Sequence, residues 1–364
     1  IKYIGSLYPV LWGWEILAMK KILFRAVKTL IIILAAILAL AGIYFIVKAI
    51  GVNGEPSAQV WNASEPFDTA NAGRVVKKDG EDFTILLFSD IQIGANPFRD
   101  TRALNMMDAM VEKTNPDMIM TTGDNTYFGF SGAMVPVIVD KMEGYGIPWG
   151  VTLGNHDSEG IADRNWVGNR YEAAEYSLFR MGPENISGVG NYVVDIVDEA
   201  GQPVYSLIMM DSNVNRWYDS GRDYDYIHAD QIEWYEWVVA GLGDVPSMLF
   251  FHIPLPEFAD VKELWESGEL DPAVTFGEFR EEVCCPPENS GMFDKILELG
   301  STTHIFNGHD HINNLSTVYK GVHMTYGLKT GPGCYADDDM QGATLITIRD
   351  GSNEVEAEHV YWGE

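Results

Sequence analysis

Five short segments carry the side chains that bind hard metal ions, and each stands at the end of an apolar run. They are Ser89-Asp90-Ile91-Gln92, Gly123-Asp124-Asn125, Gly154-Asn155-His156-Asp157, Phe251-His252 and Gly308-His309-Asp310-His311. Carboxylate, amide and imidazole donors suit Fe, Mn, Zn or Mg rather than an ion that seeks thiolates. Two such ions a few ångströms apart need a shared ligand, and a carboxylate can bridge them. A pair held in this way activates a water and stabilises in-line displacement at phosphorus. One Gly-Asn-His-Asp alone reads as a turn, and one His in an apolar run reads as a core residue. Five such segments in order, each after its own run, are hard to produce by chance.

The elements that must position them follow from the pattern. Phe83–Phe88, 118–122, 148–153, 247–251 and 303–306 read as buried strands. Ligands at the carboxyl ends of strands of one α/β sheet converge however far apart they lie in sequence. Amphipathic stretches at 102–113 and 134–142 separate the first three strands. That spacing predicts βαβαβ with right-handed crossovers and a parallel sheet. Tyr192–Val197 and 204–210 flank Gly201 and predict an antiparallel pair. A helix near Ala229–Leu242 leads into the strand ending at Phe251. Four more short strands are expected at Ser316–Tyr319, Val322–Tyr326, 343–348 and 354–360. The expected fold class is α/β, with two mixed sheets packed face to face and helices outside.

The ordered set resembles the calcineurin-like metallophosphoesterase superfamily, with its Asp-x-His, Gly-Asp, Gly-Asn-His-Asp/Glu, His and Gly-His-x-His blocks. It looks closest to the purple-acid-phosphatase-like branch, through Thr122-Gly-Asp-Asn125, Tyr145-Gly-Ile-Pro-Trp149, Leu153-Gly-Asn-His-Asp157 and Phe250-Phe-His-Ile-Pro-Leu-Pro-Glu257. The resemblance covers roughly residues 83–315 and implies a four-layer sandwich around two metal ions. By position it implies that Asp90 ligates the first metal and Asp124 bridges both. Asn155 and His252 would ligate the second metal, His309 the second and His311 the first. His156 would touch the phosphoryl oxygen or protonate the leaving group, with Asp157 orienting it. Asp310 fills the intervening position. The chain departs from the pattern at Gln92, where the family commonly has His. Three outcomes are open: Gln92 ligates through its oxygen, the first position binds metal loosely, or the Tyr127 phenolate takes the place.

The implied activity is metal-dependent hydrolysis of a phosphoric ester, with a phosphorylated small molecule as substrate and a phosphomonoester favoured. The alternatives are a diesterase acting on nucleotides or lipid head groups, and a tethered binding module that has lost turnover. The segment 257–290, with Cys284 and Cys285, is expected to be a loop region rimming the site and setting specificity.

The remaining numbers bound the setting. A chain of 364 residues with 46% hydrophobic content can bury a large core. Net charge is −29; residues 1–50 hold six Lys or Arg and one Glu, so the rest carries −34. Such a surface repels nucleic-acid backbone, and duplex DNA is excluded as an expected partner. Residues 29–47 are nineteen without a charge, enough to span a bilayer as a helix. Lys20, Lys21, Arg25 and Lys28 precede them, so the N-terminal side is expected in the cytoplasm and the catalytic part outside. A cleaved signal, giving a secreted protein, is the alternative. Met19 stands where such an anchor would start, and residues 1–28 read as a cytoplasmic or interfacial segment. Residues 48–80 read as a linker and 81–364 as the catalytic domain. Outside the cytoplasm Cys334 could pair with Cys284 or Cys285. Asn62, Asn185 and Asn314 stand in glycosylation sequons.

Overall fold

The computed structural model describes residues 8–363. The side chains of residues 8–17 and 44–50, Trp12 and Trp14 among them, and all of residues 1–7 lie outside the described residues. The chain divides into two compact units, one ending at Gly51 and one starting at Val52. The first is the helix α1 (Tyr8–Ile50), which contains an apolar stretch, Ala18–Ile43, long and apolar enough to cross a membrane.

The second unit starts earlier than the sequence suggests. Residues 52–80 are not a free linker. Val52 donates its N–H to Ile161 O at 2.7 Å, Gly54 to Asp163 Oδ1 at 2.9 Å and Trp61 to Asn185 Oδ1 at 2.7 Å. Trp61 and Phe67 pack edge-on against Trp237. Then β1 (Gly73–Val76) joins a sheet as its edge strand. Aromatic anchors in a polar, Pro-containing stretch account for the docking, and they carry no periodic signal.

The catalytic expectation begins at β2 (Phe83–Phe88), followed by α2 (Pro97–Thr114), β3 (Met118–Thr121), α3 (Ser131–Glu143) and β4 (Trp149–Val151). The three strands are parallel, as the βαβαβ spacing requires. A short α4 (Arg164–Glu172) leads to the antiparallel pair β5 (Tyr192–Val197) and β6 (Pro203–Met209). A separate hairpin, β7 (Asn215–Tyr218) and β8 (Gly221–Tyr224), precedes α5 (Ala229–Leu242) and β9 (Ser247–Phe250). The expected loop region 257–290 opens with a helix, α6 (Glu257–Ser267). The chain continues through α7 (Met292–Leu299), β10 (Thr302–Asn307), β11 (Ser316–Tyr319), β12 (Val322–Tyr326), β13 (Gly342–Ile348) and β14 (Val355–Tyr361).

Two mixed sheets result, ordered β14-β13-β2-β3-β4 and β1-β5-β6-β9-β10-β12-β11. Alternation decides what each face buries. In the second sheet Leu207, Met209, Met248, Phe250 and Phe306 join the core shared with the first sheet. Ile208, Leu249, Phe251 and Ile305 turn the other way, into a second core with α5 and α7. Each fully buried aliphatic or Phe side chain contributes about 1.5–3 kcal/mol. Tyr192 stitches the sheets together: its hydroxyl accepts from Val151 N at 2.9 Å and donates to Val151 O at 3.0 Å. β2, β3, β4, β9 and β10 all end on one side of this sandwich, where the five motif loops meet.

Candidate metal centre

The loops converge only because their backbones accept unusual geometry. Asp90, Gln92, Asp124 and His309 have φ of 50°, 48°, 50° and 80°, the left-handed region that non-glycine residues rarely enter. Strain of this kind gathers where surrounding structure holds a functional side chain in place. The motif glycines allow the loops to touch. A Cβ on Gly154 would lie 2.1 Å from Asp124 Oδ1, and one on Gly308 would lie 2.2 Å from Ser89 Oγ. Arg164, on α4, pairs with buried Asp211 and donates to Gly154 O at 2.9 Å, which pins the third loop.

Asp90, Gln92, Asp124, Asn155, His252, His309 and His311 are all buried and all face one space. His252 Nδ1 donates to Thr122 O at 2.7 Å, which fixes the ring with Nε2 facing the cluster. That Nε2 lies 3.1 Å from Asn155 Oδ1, 3.2 Å from His309 Nδ1 and 3.3 Å from Asp124 Oδ2. Neighbouring ligands of an ion with bonds of about 2.1 Å stand roughly 3.0–3.4 Å apart. These distances match. On the other side, His311 Nε2 is 3.4 Å from Asp90 Oδ1. Asp124 serves both groups, and the donor atoms of each, Asp124-His252-His309 and Asp90-Asp124-His311, lie within 4.8 Å of one another. Asp90 Oδ1 is buried without a hydrogen-bond partner. Buried polar atoms are otherwise nearly always paired, so these donor sets fit metal ions.

The electrostatics point the same way. Burial alone would push Asp90 up, but His311 and His252 hold it well below the carboxylate range. Burial likewise opposes charge on Asp124, and His252 and His156 hold it low. Desolvation opposes charge on His252 as well, yet Asp124 pushes it up to about 9. Two ionised buried carboxylates thus draw positive charge to this point. His309 is pushed down to about 3, first by burial and then by His252, and stays neutral.

His156 stands at the open edge of the cluster, its Nε2 3.8 Å from Asp124 Oδ2. The expected orienting partner, Asp157, does not reach it. Asp157 is buried and accepts Thr126 N and Gly154 N, both at 2.9 Å, which ties the second loop to the third. Burial pushes its carboxyl up to about 6. The orienting partner is Glu159, whose Oε1 lies 2.7 Å from His156 Nδ1. Glu159 is held in turn by Phe128 N at 2.9 Å. Desolvation lowers His156, but Asp124 and Glu159 together raise it to about 9.

Gln92 is turned differently from expectation. Its Oε1 accepts from Lys329 Nζ at 2.7 Å. Its Nε2 faces Asp124 Oδ2 at 3.3 Å and His311 Nε2 at 3.1 Å. An ammonium has only donors, so the atom facing it is the amide oxygen. Tyr127 packs its ring over Gly94 and makes no hydrogen bond to Asp90, Asp124 or His311 among the described residues. Asp310 is more than a spacer. It is buried and accepts Tyr326 Oη at 2.7 Å, Asn313 Nδ2 at 3.0 Å and Cys284 N at 3.2 Å. Cys284, Cys285 and Cys334 are all free thiols.

The profile of the calcineurin-like phosphoesterase family matches residues 83–313, which holds all seven clustered residues. The chain belongs to the calcineurin-like phosphoesterase family. Among curated relatives, probable inactive purple acid phosphatase 14 of Arabidopsis thaliana is 28% identical over 267 residues, 65% of this chain and 64% of that protein. Phosphatase DCR2 of Saccharomyces cerevisiae is 31% identical over 330 residues, 79% of this chain and 54% of that one. This chain therefore spans less than two thirds of the length of either relative. A dimetal phosphatase from Danio rerio aligns with a TM-score of 0.47 at 12% identity, over 76% of this chain and 98% of that one.

Proposed function

We propose that this protein is a metal-dependent phosphoric-ester hydrolase acting on a phosphomonoester of a small molecule. The observation that carries the reading is the spacing of three donor atoms around His252 Nε2, with His156 beside them at the open edge. Asp90, Asp124, Asn155, His252, His309 and His311 would hold two ions. Bound there, the ions supply Lewis-acid activation of a water and of the phosphoryl oxygens. His156 contributes separately. Glu159 occupies its Nδ1, so Nε2 is the atom available to donate to a phosphoryl oxygen or the departing alcohol.

The segment 257–290 is proposed to set specificity. Residues 276–284 lie along the His309–His311 loop through the pairs Phe276–Ser316 and Phe279–Asn313 and the Cys284 N–H on Asp310. Tyr224, from the β7–β8 hairpin, meets the His309 ring edge-on at 4.4 Å and rims the same space. We place the catalytic unit outside the cytoplasm, anchored by α1, because basic residues precede the apolar stretch.

A second reading is a metal-binding module with weak turnover. It is favoured by the Gln92 amide nitrogen turned into the site, and three relatives carry "probable inactive" in their names. The test is hydrolysis of 4-nitrophenyl phosphate against bis(4-nitrophenyl) phosphate by the full chain in detergent, metal-stripped and then refilled with Fe, Mn, Zn or Mg. Metal-dependent turnover with the monoester preferred supports the proposal. Metal uptake with no turnover on either ester favours the second reading.

A further inference from the structure

We infer that the two metal positions bind with unequal affinity, because the Lys329 ammonium competes with the first ion for the oxygen of Gln92. The inference rests on the metal-centre reading above and not on turnover.

Lys329 is 2% exposed, and a buried ammonium needs acceptors. It has two: Gln92 Oε1 at 2.7 Å and the backbone oxygen of Asp90 at 3.2 Å. The chain holds it there firmly. Thr330 N donates to Ser89 O at 2.7 Å and Gly331 N to Asp90 O at 3.3 Å, so the segment after β12 runs directly beside the first motif loop. The opposite end of the Gln92 amide stands 3.1 Å from His311 Nε2 and 3.3 Å from Asp124 Oδ2. That is ligand spacing for an ion at the first position. The group occupying it is the NH2, which has no lone pair to give.

For Gln92 to ligate, its amide must turn over. The NH2 would then face the ammonium, donor against donor. An ion at the first position must overcome that contact or do without Gln92, leaving Asp90, Asp124 and His311. It must also sit near a buried ammonium, where charge repulsion is poorly screened. The second position faces no lysine; its nearest cation is the partly exposed His156 imidazole at the open edge, which donates to none of its ligands. Asp124, Asn155, His252 and His309 all turn an oxygen or ring nitrogen toward it, an ion there would displace the proton that Asp124 holds on His252, and among the described residues no lysine or arginine hydrogen-bonds any of them.

The test is metal stoichiometry on the full chain in detergent. Stripped protein is dialysed against a series of buffered Mn2+ concentrations, and bound manganese is measured by plasma mass spectrometry. Two steps are expected, separated by at least about tenfold in free Mn2+. Lys329→Met frees the Gln92 oxygen and removes the charge, so the gap should shrink. Gln92→Glu offers an oxygen at both ends, keeps a partner for Lys329, and should also shrink it. Should Lys329→Met fail to fold, Gln92→Glu carries the test alone. Two equally tight ions in the unaltered chain would overturn the inference. So would an unchanged gap in variants that keep the parent melting temperature. No Mn2+ uptake at all would instead bring down the metal-centre reading itself.

Discussion

The two flanks of the buried cluster use the same device and reach different states. On each, a strand ends, a loop turns through a left-handed residue, and a donor is aimed inward. Around His252 the outer contact prepares the donor: Thr122 O accepts the Nδ1 hydrogen bond and turns Nε2 inward. Around Gln92 the outer contact removes it: Lys329 takes the oxygen and leaves an NH2. A ligand position is set by the fold, but its ability to ligate is set by what touches its far side.

Asp124 belongs to both flanks, so Asp124→Asn should abolish the comparison. Turnover should fall by more than about 10³-fold, with loss of bound metal in the same sample. His156 belongs to neither set of donors. His156→Ala should lower kcat by about 10²–10⁴-fold while bound metal stays unchanged, checked by steady-state kinetics beside metal analysis. Glu159→Gln acts through His156 and should lower kcat by roughly tenfold. Its effect should be larger for an alkyl phosphate than for a nitrophenyl ester, whose leaving group needs little protonation. Asp157→Asn should instead lower stability by about 1–3 kcal/mol, measured by denaturant unfolding, because its carboxylate satisfies two buried N–H groups.

The smallest effect separates ligand histidines from an ordinary one on the same strand. His304, on β10, stacks on His323 and is pushed down to about 3, by burial first and by His323 second. Its neutral form is favoured in the folded state. Its contribution is therefore complete above the unfolded value of about 6.5 and is lost as pH falls toward 3. Between pH 7 and 5 the loss is about 2 kcal/mol. His304→Phe should flatten the stability profile by that amount relative to the parent chain, read from thermal melts at both pH values.

The sequence made the donors legible because each sits at a strand end with its own local motif. Strand spans and parallel crossovers followed from periodicity, and β2, β3, β5, β10, β11 and β12 match the expected spans closely. What escaped it acts through space. Lys329 lies 237 residues from Gln92 and has no motif of its own. A charged residue three positions past the end of β12, in the same sheet as β10, was its signal. Glu159 was nearer to hand, three residues after His156 and able to fold back on it within one turn. Asp157 was misread because a motif position names a residue type and not its partner. The docking of residues 52–80 escaped because aromatic anchors such as Trp61 and Phe67 have no period. The β7–β8 hairpin, which supplies Tyr224, reads in sequence as a polar stretch between longer elements.

The most direct test is an anomalous difference map from crystals equilibrated with Mn2+. The account predicts a strong peak among Asp124, Asn155, His252 and His309, and a weaker one among Asp90, Asp124 and His311. No peak in this cluster, or a manganese ion held by other residues, would contradict it.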